Sequence, residues 1–297
     1  MNSYLLVTIL ILISLTWAGS FIVVDIVSDS MSPIDLGFLR FVVATPILGV
    51  LVLLQKKSLA IPIKVLPYLL LLALTGVTFL YLFQFIGIAL TNASTGSILI
   101  NTNVLFIALF SAFLFGEHFT WRKTVGVLLS FSGVVLILFS YQQPFVGSIS
   151  LSFILGGLLV VASAVCWAVF SLVGKQVVQQ YDEQIILFYV FLLGTFFYLP
   201  FVLPQILHTV FEIDILGWSG VFYLALACSI FAYFGWYYCL KHVEASKAAV
   251  FLTLIPLFTI LMDLFRGIQP SWVFLLGAGV ILAGVHLTQQ AQTRESN

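Results

Sequence analysis

The sequence predicts an all-α membrane protein of ten transmembrane helices, arranged as two inverted five-helix repeats. Three observations carry that expectation. First, apolar residues make up 62% of the 297-residue chain and charged residues 7%, against roughly 25% charge in a soluble domain. With a mean hydropathy of +1.20, the chain has too little polar surface for water, and lipid must be its solvent. Second, the chain is written twice. Trp17-Ala18 returns as Trp167-Ala168, Phe79-x-Tyr81 as Phe231-x-Tyr233, and Ala93-Ser94 as Ala245-Ser246. Leu105-Phe106 returns as Leu257-Phe258, and Gly126-x6-Gly133-Val134-x-Leu136 as Gly277-x6-Gly284-Val285-x-Leu287. The offsets run from 150 to 152 residues, which divides the chain into units 1–148 and 149–297. Third, the basic residues fall on alternate loops.

A span needs about 20 predominantly apolar residues. In order, the runs are Tyr4–Val24, Ile34–Leu54, Leu66–Leu90, Ala93–Phe115, Val125–Tyr141, Phe153–Gly174, Ile185–Leu203, Leu216–Leu240, Ser246–Phe265 and Ser271–Leu287. Lipid offers backbone groups no partners, and the runs are too long and unalternating for barrel strands, so each is read as a helix. The first run lacks a basic leader, which makes it a span rather than a cleaved signal. Lys56, Lys57, Lys64, Arg122, Lys123, Lys175, Lys241, Lys247 and Arg294 all fall on one side of a ten-span chain, and Arg266 alone falls on the other. That bias places both termini in the cytoplasm of a multi-pass protein of the cell (inner, cytoplasmic) membrane. Five spans is an odd number, so the second unit must insert upside down. In many transporters, inverted units place a site at their interface and give two alternating states.

Helical residues lie 100° apart, so candidate cavity faces can be traced. Span 1 presents Ser14, Trp17, Phe21 and Asp25, and span 3 presents Thr78, Tyr81 and Gln84. Span 6 presents Ser163, Cys166, Trp167, Phe170 and Gly174, and span 8 presents Ser229, Tyr233, Trp236, Tyr237 and Leu240. Span 4 presents Ser94, Ser97, Asn101, Leu105, Ala108 and Ala112, a face equally suited to a cavity wall and to helix packing. Tyr81, Trp167 and Tyr233 carry donors at mid-span, where a buried donor wants a partner. The glycines of spans 5 and 10, with Ser130, form small-residue faces that read as helix contacts.

Arg40 lies inside span 2, where a cation costs roughly 2.5–3.5 kcal/mol. It reads either as one half of a structural pair with Asp25, Asp35 or backbone carbonyls, or as a counter-charge for a substrate carboxylate or a member of the outer gate. Asp263 and Arg266 read as an i, i+3 pair, and Glu117 reads as tied to Arg122 or Lys123. Cys166, Cys228 and Cys239 lie in apolar runs and read as packing residues. His118, His208, His242 and His286 lack metal-ligand spacing. No phosphate-cradling, zinc-hydrolase or nucleophile-elbow motif is present. The net charge is zero, which argues against a nucleic-acid partner.

Several motifs resemble the drug/metabolite transporter superfamily, EamA branch. They are Ser111-x-x-Phe-x-Phe-Gly116-Glu117-x-Phe119-Thr120, Gly126-x6-Gly133-Val134, Ala245-Ser246 leading to Pro256-Leu257-Phe258, Gly37-Phe-Leu-Arg40-Phe, and the tryptophans of spans 1 and 6. The resemblance implies a ten-helix inverted-repeat carrier with spans 1–4 and 6–9 around a central cavity and spans 5 and 10 outside. It also implies a small-molecule substrate, since the family moves small metabolites, often outward, and includes exporters of aromatic amino acids. Val104 stands where the family often has proline, whereas span 9 keeps Pro256; Phe265-Arg266-Gly267 stands where the first half has Phe115-Gly116-Glu117.

The expectation is therefore a secondary transporter that exports small amphipathic metabolites such as aromatic amino acids by alternating access. Its substrate residues are Trp17, Arg40, Tyr81, Gln84, Ser97, Asn101, Trp167, Tyr233, Trp236 and Tyr237, with no catalytic residue, metal or cofactor. Its partners are the substrate and the lipid bilayer, with homo-oligomer formation left open. The alternatives are a membrane-embedded enzyme acting on lipid, and a receptor or scaffold subunit.

Overall fold

The computed structural model describes residues 3–56, 58–115, 121–140, 150–203, 205–242, 248 and 251–295. Glu117, Ala245, Ser246 and Lys247, and with them the start of span 9, lie outside the described residues. The helices are α1 (Ser3–Val27), α2 (Pro33–Leu54), α3 (Ile63–Leu90), α4 (Ala93–Ile100), α5 (Asn103–Phe115) and α6 (Trp121–Ser140). They continue as α7 (Leu151–Val178), α8 (Glu183–Val202), the short α9 (Ile206–Glu212), α10 (Ile215–His242), α11 (Leu254–Phe265) and α12 (Trp272–Glu295). Six of them, α1, α2, α3, α7, α8 and α10, are long and apolar enough to cross a membrane, and the others are shorter apolar helices. Large apolar side chains such as Leu54, Phe196 and Leu276 face outward. A surface of that kind is stable only in lipid, and the chain is a multi-pass membrane protein.

Polar residues start several helices, because the first N–H groups of a helix lack internal partners. The Asn92 side chain accepts from the Thr95 N–H, Asp182 accepts from the Gln184 N–H, and Asp214 accepts from the Gly217 N–H.

Two expected spans are broken. Span 4 stops at Ile100 and resumes at Asn103, and a turn at Thr253 precedes α11. Pro256 accounts for the second break, since it has no N–H to donate. At the first break no proline is present and polar side chains do the work. The Asn101 Nδ2 donates to Ser97 O at 2.8 Å, and the Thr102 hydroxyl donates to Leu99 O at 2.7 Å. These bonds compete with the helix ladder, which shortens to i→i−3 bonds such as Thr102 N to Leu99 O. The breaks fall at Asn101 and Thr253, which are counterparts in the duplication. The helix also widens to a π-turn at Leu74–Thr78 and at Leu224–Phe231, again at counterpart positions.

Several residues touch their own counterparts. Trp17 meets Trp167 edge to face at 5.3 Å, the Tyr81 and Tyr233 hydroxyls lie 2.7 Å apart, and the Thr45 and Thr195 hydroxyls lie 3.5 Å apart. The Ser130 hydroxyl donates to Ile281 O at 3.2 Å. Counterpart positions of the duplication therefore meet where the first and second halves of the chain pack together. The small-residue faces of α6 and α12 pack on each other. A methyl added at Gly133 would lie 2.7 Å from Gly277 O, and one at Gly284 would lie 2.4 Å from Gly126 O. This crossed pattern makes the two helices antiparallel.

Candidate functional site

A cavity of about 50 Å³ lies mid-bundle, lined by Trp17, Ser20, Phe21, Leu80, Tyr81, Gln84, Ile100, Asn101, Asn103, Trp167, Leu252 and Ile255. Its floor is the end of α4 and the turn at Asn101, so a broken helix delivers its polar groups there. The Nδ2 bond to Ser97 O fixes the Asn101 amide with Oδ1 unpartnered. The Asn103 Oδ1 and the Trp167 Nε1 are also buried without partners. Two acceptors and one donor are therefore held unsatisfied among aromatic faces. Unsatisfied groups of this kind cost about 1–3 kcal/mol each unless something fills them. Trp17 differs: its Nε1 donates to Cys228 O at 3.2 Å.

Five of the expected substrate residues line this cavity: Trp17, Tyr81, Gln84, Asn101 and Trp167. The other five stand behind the wall. Ser97 donates back to Ser94 O at 2.8 Å within its own helix. Tyr233 bonds Tyr81 and Gly76 O, Trp236 packs on Trp17 and Trp167, and Tyr237 stacks on Phe170. Ser20, Asn103, Leu252 and Ile255 were not singled out by the sequence. Asn103 had a visible signal, a second amide two residues after Asn101 in an apolar run.

Arg40 pairs with neither Asp25 nor Asp35. Asp25 is taken by Arg266, and Asp35 accepts from the Thr209 hydroxyl at 2.6 Å. Instead, the Arg40 Nε donates to the Ser229 hydroxyl at 2.9 Å, and the guanidinium lies 4.1 Å from the Tyr81 ring centre. Arg40 is 1% exposed and its Nη2 has no partner. The charge is thus held by ring faces, a contact worth about 2 kcal/mol when desolvated. The expected Asp263–Arg266 pair is present at 2.8 Å. All three cysteines are free thiols, Cys228 and Cys239 fully buried.

The Tyr81–Tyr233 contact joins the two halves directly. Tyr81→Phe is expected to lower stability by about 1 kcal/mol. A double-mutant cycle with Tyr233→Phe, read by thermal unfolding in detergent, should give a coupling of similar size. Additive losses would mean that the two hydroxyls do not depend on each other.

The fold and site define a multi-pass helical membrane protein with a small cavity lined by aromatic and amide side chains from both halves. The sequence comparisons name the kind. The EamA-like transporter family matches the chain twice, over residues 4–139 and 154–289, and the chain belongs to that family. An uncharacterized transporter of Archaeoglobus fulgidus is 37% identical over 286 residues, covering 96% of this chain and 97% of the relative. A probable amino-acid metabolite efflux pump of Escherichia coli is 24% identical, covering 93% of this chain and 92% of that protein. A solved crystal structure with 20% identity superposes over 100% of both chains with a TM-score of 0.65, a likeness of fold alone.

Proposed function

We propose that the chain is a secondary transporter that exports small amphipathic metabolites, such as aromatic amino acids, by alternating access. Residues 1–148 and 149–297 form two inverted five-helix repeats in the cytoplasmic membrane, with both termini in the cytoplasm. The self-contacts of counterpart residues and the antiparallel α6–α12 packing support the inverted relation. The observation that carries the reading is the mid-bundle cavity, walled by both halves, in which Asn101 Oδ1, Asn103 Oδ1 and Trp167 Nε1 lack partners. The substrate's ammonium group donates to the two amide oxygens, its acceptor meets the indole N–H, and its side chain lies against Trp17 and Trp167. Arg40, behind Tyr81, adds positive potential that favours a carboxylate. Ser97, Tyr233, Trp236 and Tyr237 hold the wall in place. The printed name of the Escherichia coli relative supports the same substrate class.

The cavity of about 50 Å³ is far below the roughly 300–1,000 Å³ of ordinary ligand pockets. On this reading the cavity is contracted, and the two halves must move apart to admit solute. The test is counterflow of labelled aromatic amino acids into liposomes holding the purified protein. Trp167→Ala should cut the flux at least about tenfold, equivalent to about 1.4 kcal/mol of lost binding or barrier stabilisation, while the folded yield is unchanged. Unchanged flux would remove Trp167 from the site. Absence of protein-dependent flux for any such solute would overturn the substrate class.

A further inference from the structure

Counterpart helix pairs are packed differently at the two ends of the bundle. At the end where α1 finishes, α1 and α10 close tightly. A methyl on Gly220 would lie 3.0 Å from Val27 and 3.1 Å from Val23, and the Tyr223 hydroxyl donates to Thr16 O at 2.8 Å. The counterpart pair, α7 and α3, meets at the opposite end. There Tyr68 and Val177, the counterparts of Gly220 and Val27, line a cleft of about 300 Å³ together with Lys64, Gln176 and Gln180.

The tight end also carries a charge network. The Arg266 Nη1 donates to Asp263 at 2.8 Å, and its Nη2 donates to Asp25 at 2.8 Å. Asp263 is 2% exposed and also accepts from the Ser94 hydroxyl. The network thus joins α1 and α4 of the first half to α11 of the second. It is not duplicated: Lys175 is the counterpart of Asp25, and Ser111 that of Asp263. Among the described residues, the ion pair at the opposite end, Lys241–Glu183, joins α10 to α8 within the second half, and the bond across the halves there is a neutral one, from the Tyr189 hydroxyl to Leu59 O at 2.8 Å.

We propose that Asp25, Arg266, Asp263 and Ser94 form a one-sided latch that holds the external end of the carrier shut. The inference rests on the alternating-access reading and adds an asymmetry to it. The resting carrier has its cytoplasmic end loose, and external opening is the step that must break ion pairs. Opening that end separates α1 from α11, which parts Asp25 from Arg266. Asp263 keeps its Arg266 partner within the same helix, so no charge is left alone in the interior.

The test replaces the three native cysteines with alanine and introduces Ser20→Cys as a reporter in the cavity wall. A membrane-impermeant maleimide is applied to the external face of oriented vesicles. Asp25→Asn removes the charged arm between α1 and α11 and leaves the Ser94–Asp263 bond in place, and external labelling of the reporter should accelerate roughly tenfold, as expected for losing one charge-assisted hydrogen bond. Arg266→Gln, which frees both carboxylates, should accelerate it at least as much. Lys241→Gln, at the opposite end, should leave it unchanged. The latch is overturned if folded Asp25→Asn and Arg266→Gln label at the parent rate, or if Lys241→Gln accelerates labelling equally. The readout needs no substrate, so faster labelling without solute flux would retire the transport reading and keep the latch.

Discussion

Arg40→Met is expected to leave the protein folded and at least as heat-stable, and yet to reduce solute flux by about tenfold or more. The two halves of that expectation have separate causes. Arg40 is fully buried, with no carboxylate paired to it among the described residues. Its remaining partners are the Ser229 hydroxyl and the ring faces of Tyr81, Phe41 and Phe85. Replacing such a charge by a side chain of similar length and no charge is often neutral or stabilising, because the desolvation cost disappears with it. Flux should nonetheless fall, since the cation lies 4.1 Å from the centre of the Tyr81 ring that walls the cavity and supplies positive potential there. Arg40→Lys should recover flux only in part, because an ammonium group neither stacks on rings nor carries the planar guanidinium fork. The decisive comparison is melting temperature against flux for the same preparation. A Met variant that melts well below the parent and transports normally would make Arg40 a structural residue.

Gly133→Leu is expected to have the opposite signature: loss of folded protein without a selective effect on transport. The α6–α12 contact brings backbone against backbone. A Cβ at Gly133 would sit 2.7 Å from Gly277 O and 2.8 Å from Ile281 N. Neither neighbour is a side chain that can rotate away, so the two helices must separate. Overpacking of this kind costs about 1–3 kcal/mol, and losing the fit along both helices should bring the change to the upper end. The melting temperature should fall by roughly 5 °C or more. Whatever protein remains folded should transport at the parent rate, because the pair stands away from the cavity residues. Gly279, with nothing within 4 Å of an added Cβ, is the control position; Gly279→Leu should melt with the parent.

The sequence made the pairing of the halves legible, but not the local geometry of the site. The duplication predicted that Trp17 and Trp167, and Tyr81 and Tyr233, would be related, and both pairs are in contact. The faces of spans 3 and 8 were harder, because a trace at 100° per residue assumes an unbroken α-helix. The π-turns at Leu74–Thr78 and Leu224–Phe231 shift that phase. Tyr81 and Gln84 follow the first π-turn and still reach the cavity, whereas Tyr233, Trp236 and Tyr237 stand behind the wall, where Tyr233 bonds Tyr81 and Tyr237 stacks on Phe170. Span 4 presented the same difficulty in another form. Its apolar run continues past Asn101 without a proline, and only the side-chain bonds of Asn101 and Thr102 reveal why the helix stops there. The environment of Arg40 was not legible at all. Charge complementarity pointed to Asp25 or Asp35, whereas burial beside three rings solved the problem without an acid. Arg266 was read correctly as the partner of Asp263. Its second arm, to Asp25 at the far end of the sequence, depends on a tertiary contact that no local pattern announces.

The central claim is that one cavity faces each side of the membrane in turn. Two-sided thiol accessibility tests it most directly. Gln84→Cys, placed on the cavity wall in a chain otherwise free of cysteine, is exposed to an impermeant maleimide from the external face and, separately, from the cytoplasmic face. The account predicts labelling from both faces, faster from the cytoplasmic one, with protection by a transported solute in each case. Labelling confined to a single face under every condition would contradict it.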